Sequence, residues 1–134
     1  MGDVFRMSLA EMQPSQLFIS AEKLAEVLRG FDPSRMEAIP VKRLGDDVVM
    51  TDGHTRGLAA FLCGMQELPV VWDEDELDWE AYEICAAWCK SEGIRSVGDL
   101  MGRVVGREHY ERLWLERCGR MHAELTKGRE EKEG

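Results

Sequence analysis

No run of apolar residues in this chain approaches the roughly 20 needed to cross a bilayer. Positive charge is also scarce: 17 Lys and Arg stand against 26 Asp and Glu, for a formal net charge of −9. That excludes broad, nonspecific nucleic-acid binding, which depends on neutralising phosphates with Lys and Arg. A local basic pocket is still compatible with it, because net charge and site charge are different quantities. The N-terminus lacks the basic-then-apolar pattern of a secretory signal, so a cytoplasmic protein with no membrane partner is expected. In that setting the four cysteines are expected as thiols rather than as a disulfide framework. There is no internal repeat. What is present is an ordinary apolar fraction, 44% of 134 residues, enough for the core of one domain with a small annex.

Patterning predicts an α+β fold: a small mixed β-sheet with packed helices, followed by a C-terminal helical annex. "VFRMSLAEM" (Val4 to Met12) alternates loosely and reads as a first strand. "QPSQLFIS" reads as a loop or extended segment punctuated by Pro14. Ser20 is placed to cap a helix from Ala21 to Gly30, with Leu24, Val27 and Leu28 as its apolar stripe. "FDPSRM" is a turn region around Pro33. "AIPVKRL" and "DVVMT", separated by Gly45-Asp46-Asp47, read as a hairpin, and Pro40 suggests an edge or a strand start. "HTRGLAAFLCG" spaces Leu58, Phe61 and Leu62 as a helix and stops at Gly64. "LPVVW" is a further strand. These elements form an expected core domain at residues 1–76. Helical spacing then covers residues 77–126, with stripes of Trp79, Tyr82, Cys85, Ala86 and Cys89 and of Tyr110, Leu113, Trp114, Arg117 and Met121. A short helix starts near Ser96 between them. Residues 127–134 read as a frayed, solvated charged tail.

The chemistry concentrates in "TDGHTRGLAAFLCG", Thr51 to Gly64. A strand ends and a helix begins there, and a helix N-terminus offers unpaired N–H groups and a positive dipole end. Gly53 permits a tight turn. Thr55 adds a hydroxyl, His54 an imidazole that could transfer a proton, and Arg56 a forked cation suited to phosphate. A carboxylate beside phosphate is repelled by about 4 kcal/mol at 4 Å and an effective dielectric near 20. Asp52 therefore either caps the helix, accepting N–H bonds from His54 or Thr55, or works through Mg²⁺ bridging to phosphate oxygens. The bland alternative is a capped helix with a surface arginine.

The order of these motifs resembles the ParB/sulfiredoxin-like superfamily. Ile39-Pro40-Val41, the hairpin, Gly53-His54-Thr55-Arg56, Ala59-Ala60, Gly64 and Leu68-Pro69-Val70 follow one another as that superfamily's "PI-x-V"-like strand, glycine turn, paired alanines and "IPV"-like strand do. "SAEKLAEVL" resembles the helix that precedes this core, and the likeness covers roughly residues 5 to 75. It implies a nucleotide- or phosphate-binding domain. The sulfiredoxin branch uses a cysteine in the turn, where this chain has His54, and Cys63 lies most of a helix away, so sulfinic acid reduction is not expected. The partitioning branch binds CTP and DNA through a following helix-turn-helix domain, for which no recognition helix is evident here. The turn is most similar to that of the free serine kinases, which share an Asp-Gly-His-x-Arg-like motif and phosphorylate a hydroxyl with ADP or ATP. That likeness implies an ATP-, ADP- or CTP-dependent protein with Mg²⁺ at Asp52, Asp52 and His54 as catalytic groups, and Gly53, His54, Thr55 and Arg56 on phosphate. Ser15 and Gln16 would border the nucleotide. Gln16, however, stands near the position of that branch's glutamate base, and a neutral amide cannot accept a hydroxyl proton. Glu11, Glu22 and Glu37 are the carboxylates available to replace it. The alternative is a non-catalytic module of phage or mobile-element origin that binds a protein or DNA partner.

Three further groups carry weaker signals. Cys85 and Cys89, and Cys118 and His122, are each spaced i,i+4 and could together make a tetrahedral zinc site, although thiols also pack as small hydrophobes. The aromatics Trp79, Tyr82, Trp88, Tyr110 and Trp114 are expected in the core of the annex, with base stacking as the alternative. Trp72 ends a strand near the turn and is a candidate to contact substrate, as is Glu37. "WDEDELD" lacks the glycine and alternation of an EF-hand loop and reads as a solvated linker.

Overall fold

A computed structural model describes residues 2–133. It shows the expected mixed α+β architecture. Six strands lie within the first 72 residues: β1 Phe5–Ser8, β2 Met12–Gln13, β3 Ile19–Ser20, β4 Ile39–Leu44, β5 Asp47–Met50 and β6 Glu67–Trp72. Five of the strands form one sheet in the order β1-β6-β4-β5-β2. β4 and β5 pair antiparallel as the predicted hairpin, with Val41 opposite Met50, and β4 runs parallel to β6. Two helices accompany this part: α1 Ala21–Arg29, capped by Ser20 accepting the Lys23 N–H, and α2 His54–Leu62.

The first strand differs from expectation. Ser8 accepts the Ala10 N–H and starts a 3₁₀ turn at Leu9–Glu11, which breaks the run in two. β1 then pairs antiparallel with β6, while β2 pairs parallel with β5 at the opposite edge. A local hydroxyl-to-backbone bond thus competes with the ladder and carries the chain from one sheet edge to the other. On α2 the buried face is Gly57, Leu58, Ala59 and Ala60. Phe61 and Leu62, expected on the apolar stripe, are substantially exposed, as is Leu28 of α1.

The C-terminal part comprises α3 Trp79–Ser91, a 3₁₀ segment at Val97–Arg103, β7 Val104–Val105, α4 Arg107–Tyr110, a π-helical turn at Glu111–Leu115 and α5 Glu116–Glu133. The 3₁₀ segment opens on a capping box in which Asp99 accepts the Ser96 N–H. β7 pairs parallel with β3, and the Gln13 amide donates to the Ile94 carbonyl at 2.8 Å. Cys85, Cys89, Val97, Leu100, Trp114 and Met121 belong to the same hydrophobic cluster as Met12, Ile39, Val41 and Leu58. One continuous core therefore holds the helices to the sheet. Residues 127–133 differ from the frayed tail expected: α5 continues through Glu133, and Arg129 forms ion pairs with Asp78 and Glu80. Among the described residues no helix is long and apolar enough to cross a membrane.

Candidate functional site

β5 ends at Met50 and α2 begins at His54, and the short link between them is shaped by Gly53, whose φ of +77° lies in the left-handed region. A Cβ there would meet Ile39 Cδ1 at 2.8 Å and Arg56 Nη2 at 2.9 Å, so glycine is required on both counts. No side chain caps α2. Asp52, expected as a possible cap, is exposed and, among the described residues, accepts only the N–H of Gly53, at 2.7 Å.

Beside this turn lies a cavity of about 230 Å³ between the sheet and the helices α3 and α5. Ser15, Gln16, Asp52 and His54 enter its wall from the sheet side; Tyr82, Cys85, Trp114, Cys118 and His122 enter from the helices. It shares Thr51, Asp52 and Tyr82 with a neighbouring hollow of about 560 Å³, whose rim includes Trp72, Asp73 and Asp75.

His54 is only 4% exposed. Its Nε2 accepts the Ser15 N–H at 2.9 Å, which leaves Nδ1 to carry the proton of the neutral ring. Burial lowers its pKa from 6.5 to about 4, against a weaker opposing pull from Asp52. The ring is therefore neutral at physiological pH, and its one acceptor is already used. Ser15 is fixed in turn by its Oγ, which donates to the Met50 carbonyl at 2.6 Å. Gln16 donates to the Phe18 carbonyl at 2.9 Å and to Tyr110 Oη at 3.3 Å. Thr51 Oγ1 donates to Asp73 at 2.6 Å, and the Tyr82 hydroxyl donates to the Thr51 carbonyl at 3.1 Å. Burial, then Asp52 and Asp73, raise the Tyr82 pKa, so its hydroxyl stays protonated.

The polar residues adjacent in sequence do not converge. His54 and Asp52 face the cavity, whereas Arg56 lines a separate hollow of about 410 Å³ with Arg35, Phe31 and Glu37. Its Nη2 donates to the Ala38 carbonyl at 3.1 Å, and its buried Nε has no acceptor among the described residues. Thr55 is half-buried and lines neither hollow. Glu37 is thus beside Arg56 and away from Asp52, Glu22 pairs with Arg107 at 2.9 Å on the surface, and Glu11 is exposed. Trp72 is half-exposed and packs on Phe5, with ring centroids 5.4 Å apart.

The zinc set is not assembled. Cys85, Cys118 and His122 share the cavity wall, but Cys89 is fully enclosed outside it, where burial pushes its thiol up to about 12. Among the described residues no group of three or more His, Cys, Asp or Glu is placed to hold a metal ion. Of the annex aromatics, Trp114 is buried, edge-on to Trp88 at 6.2 Å, and it borders the cavity together with Tyr82. Sequence reasoning did not single out Tyr82, Asp78 or Trp114 as cavity residues. Asp78 was legible as a helix start, and it does cap α3 by accepting the Ala81 N–H at 3.3 Å. The π turn that carries Trp114 has no sequence signature comparable to a cap.

No protein-family model and no curated protein matches the chain. Among solved structures it is similar to the C-terminally truncated chromosome-partitioning protein ParB from Caulobacter crescentus, crystallised in complex with CTP-gamma-S. The identity is 18% and the TM-score 0.47, over 63% of this chain and 51% of that one. It is also similar to protein Atu1540 from Agrobacterium tumefaciens, with 12% identity and a TM-score of 0.46 over 69% of this chain and 49% of that one. The chain spans about half the length of each of these.

Proposed function

We propose that this chain binds a nucleotide, with its phosphates at the start of α2 and a divalent cation between them and Asp52. The observation that carries the reading is the uncapped first turn of α2 opening, at Asp52 and His54, onto a cavity joined to a second hollow. Both hollows together fall in the size range of small-molecule sites. The motif resemblance at Gly53-His54-Thr55-Arg56 points to the same ligand class. The cavity wall contains Asp52 and Asp78 but no Lys or Arg. Phosphate entering it therefore needs a cation to offset the carboxylates, and Mg²⁺ coordinated by one or two carboxylates and phosphate oxygens supplies that. Trp72, on the rim of the larger hollow, is the surface on which a base would stack.

Phosphoryl transfer has weaker support than binding. Gln16 is neutral and held by Phe18 and Tyr110, and His54 Nε2 is taken by Ser15. Asp52 is the carboxylate left in the wall without an arginine partner, since Asp78 is bound by Arg129. These same facts favour a second reading, a binding module that holds a nucleotide without transferring its phosphate.

Calorimetric titration with ATP, ADP and CTP tests the proposal. Heat is expected with at least one of them in the presence of Mg²⁺ and is expected to disappear with EDTA. Asp52→Ala should weaken binding at least about tenfold, the loss of one cation ligand. No heat with any of the three, with or without Mg²⁺, refutes it.

A further inference from the structure

Part of the cavity wall belongs to a helix that the core holds lightly. Cys118, Met121 and His122 of α5 line the cavity, across its wall from Tyr82 and Cys85 of α3. Along α5 Met121 is the buried residue, and Cys118 and Leu125 pack half-buried against the core. Among the described residues, the side-chain hydrogen bonds from α5 to the rest of the chain run through two arginines. Arg117 meets Glu92 at 3.3 Å near the start of the helix. Arg129, about two turns beyond Met121, donates to Asp78 at 2.8 and 3.0 Å and to Glu80 at 3.0 Å. Asp78 itself lines the cavity. The far end of α5 is therefore clamped at the cavity's edge.

The near end of α5 is built to bend. It grows out of the π-helical turn at Glu111–Leu115, which carries the buried Trp114. Such turns break the regular ladder and are common where helices kink. Gly119 and Gly128 lie within α5, and a Cβ at either would meet nothing within 4 Å. No close approach requires glycine there, and glycine weakens a helix interior. We propose that α5 is a hinged cover over this cavity, bending where the π turn passes into it, and that Arg129 is the latch that closes it on Asp78 and Glu80, whatever the cavity binds.

The latch is solvated: the Arg129, Asp78 and Glu80 side chains are 46%, 32% and 60% exposed. Exposed ion pairs contribute little and are screened by salt. Few buried apolar contacts and solvent-facing bonds mark the segments that open first in a fold. Opening takes Cys118, Met121 and His122 out of the wall and uncovers Cys85, while Trp114 stays with the core. A ligand gains entry in that state, and closure of α5 then shuts out water.

Thiol alkylation reads the opening, because the cysteines stand at graded depth. Cys63 is exposed at the end of α2, Cys85 is buried on the cavity wall, and Cys89 is fully enclosed outside it. The full chain and Arg129→Ala are treated with N-ethylmaleimide at low salt and in about 1 M NaCl, where the Debye length is about 3 Å. Peptide mapping follows each cysteine, with Cys63 as the reference. Cys85 should react about threefold to fivefold faster in Arg129→Ala, and by a similar factor in the parent at high salt, the range of an exposed ionic clamp. Salt should add little in the variant, since both act on one latch. Arg129→Lys keeps the charge without the fork and should fall between. Amides of α5 should exchange faster in Arg129→Ala, with those of α1 and α2 unchanged. A Cys85 rate that stays flat in the variant or in salt overturns the proposal. So does Cys89 accelerating in step with Cys85, which marks global unfolding rather than a moving cover. If circular dichroism shows Arg129→Ala misfolded, the salt dependence of the parent decides alone.

Discussion

Acidification should reveal His54 as a buried neutral ring. In the unfolded chain its imidazole takes a proton near 6.5; in the fold, burial delays that to about 4. Between those values the unfolded state binds more protons, so stability falls as pH drops through the window. A gap of about 2.5 units at 1.36 kcal/mol per unit gives a loss of roughly 3 kcal/mol, complete below the folded value and absent above 6.5. The assay is urea unfolding followed by tryptophan fluorescence from pH 7.5 to 4, on the parent and on His54→Gln. A glutamine oxygen can still accept the Ser15 N–H but does not titrate. Glu22, Asp78 and Glu92 are all held below the usual carboxylate range by arginine partners. Their loss on acidification is common to both proteins and cancels in the difference. That difference should shift by about 3 kcal/mol in favour of the variant as pH falls. A difference that stays flat, or a His54 resonance titrating near 6.5 in the folded protein, refutes the reasoning.

Two other substitutions separate large effects from small ones. Gly53→Ala places a Cβ 2.8 Å from Ile39 Cδ1 at a φ of +77°, and strain plus contact should cost about 2–3 kcal/mol; a loss under about 1 kcal/mol by urea unfolding would contradict that geometry. Arg129→Ala removes contacts of 2.8 Å to Asp78 and 3.0 Å to Glu80, but all three side chains are substantially solvated, so the cost should stay below about 1 kcal/mol. A loss above about 2 kcal/mol would show that the end of α5 anchors the fold.

The readable elements were those whose signals are local. The β4–β5 hairpin announced itself through Gly45-Asp46-Asp47, and α1 through Ser20 and its stripe. The first strand was misjudged because alternation from Val4 to Met12 says nothing about which sheet edge each half joins. The C-terminal tail is solvated as its charges suggest but helical rather than frayed, and the partners of Arg129 are not legible locally because Asp78 lies 51 residues away. Leu58 was correctly placed inward, whereas Phe61 and Leu62 were not, since glycine and alanines form the rest of the buried face of α2. Small residues let a helix lie close to its neighbours, and hydropathy underweights them. In the cavity, Ser15, Gln16, Asp52 and His54 were legible on the sheet side because they cluster near one turn. On the opposing wall Cys85, Cys118 and His122 stood out only as a candidate zinc set, and Ala81, Tyr82, Trp114 and Met121 did not stand out as cavity residues, because helical packing makes that wall of residues that read as core.

The division within the Asp52–Arg56 cluster follows from helix geometry. Successive residues of a helix are about 100° apart, so His54 and Arg56 project to opposite sides once α2 begins. A sequence reading that adds up their donors treats them as one site, but the fold makes them two. One side has a neutral imidazole and two carboxylates, Asp52 and Asp78; the other has two arginines beside Asp32 and Glu37, with Arg56 bound to a backbone carbonyl. The charge therefore predicts how each side would meet an anion. Phosphate on the Arg56 side would bind without a metal and would weaken with salt. Phosphate on the His54 side needs a divalent cation, because the fixed charges among the residues lining it are carboxylates. The EDTA dependence of nucleotide binding thus reports which face of the turn the ligand uses, more directly than either substitution could.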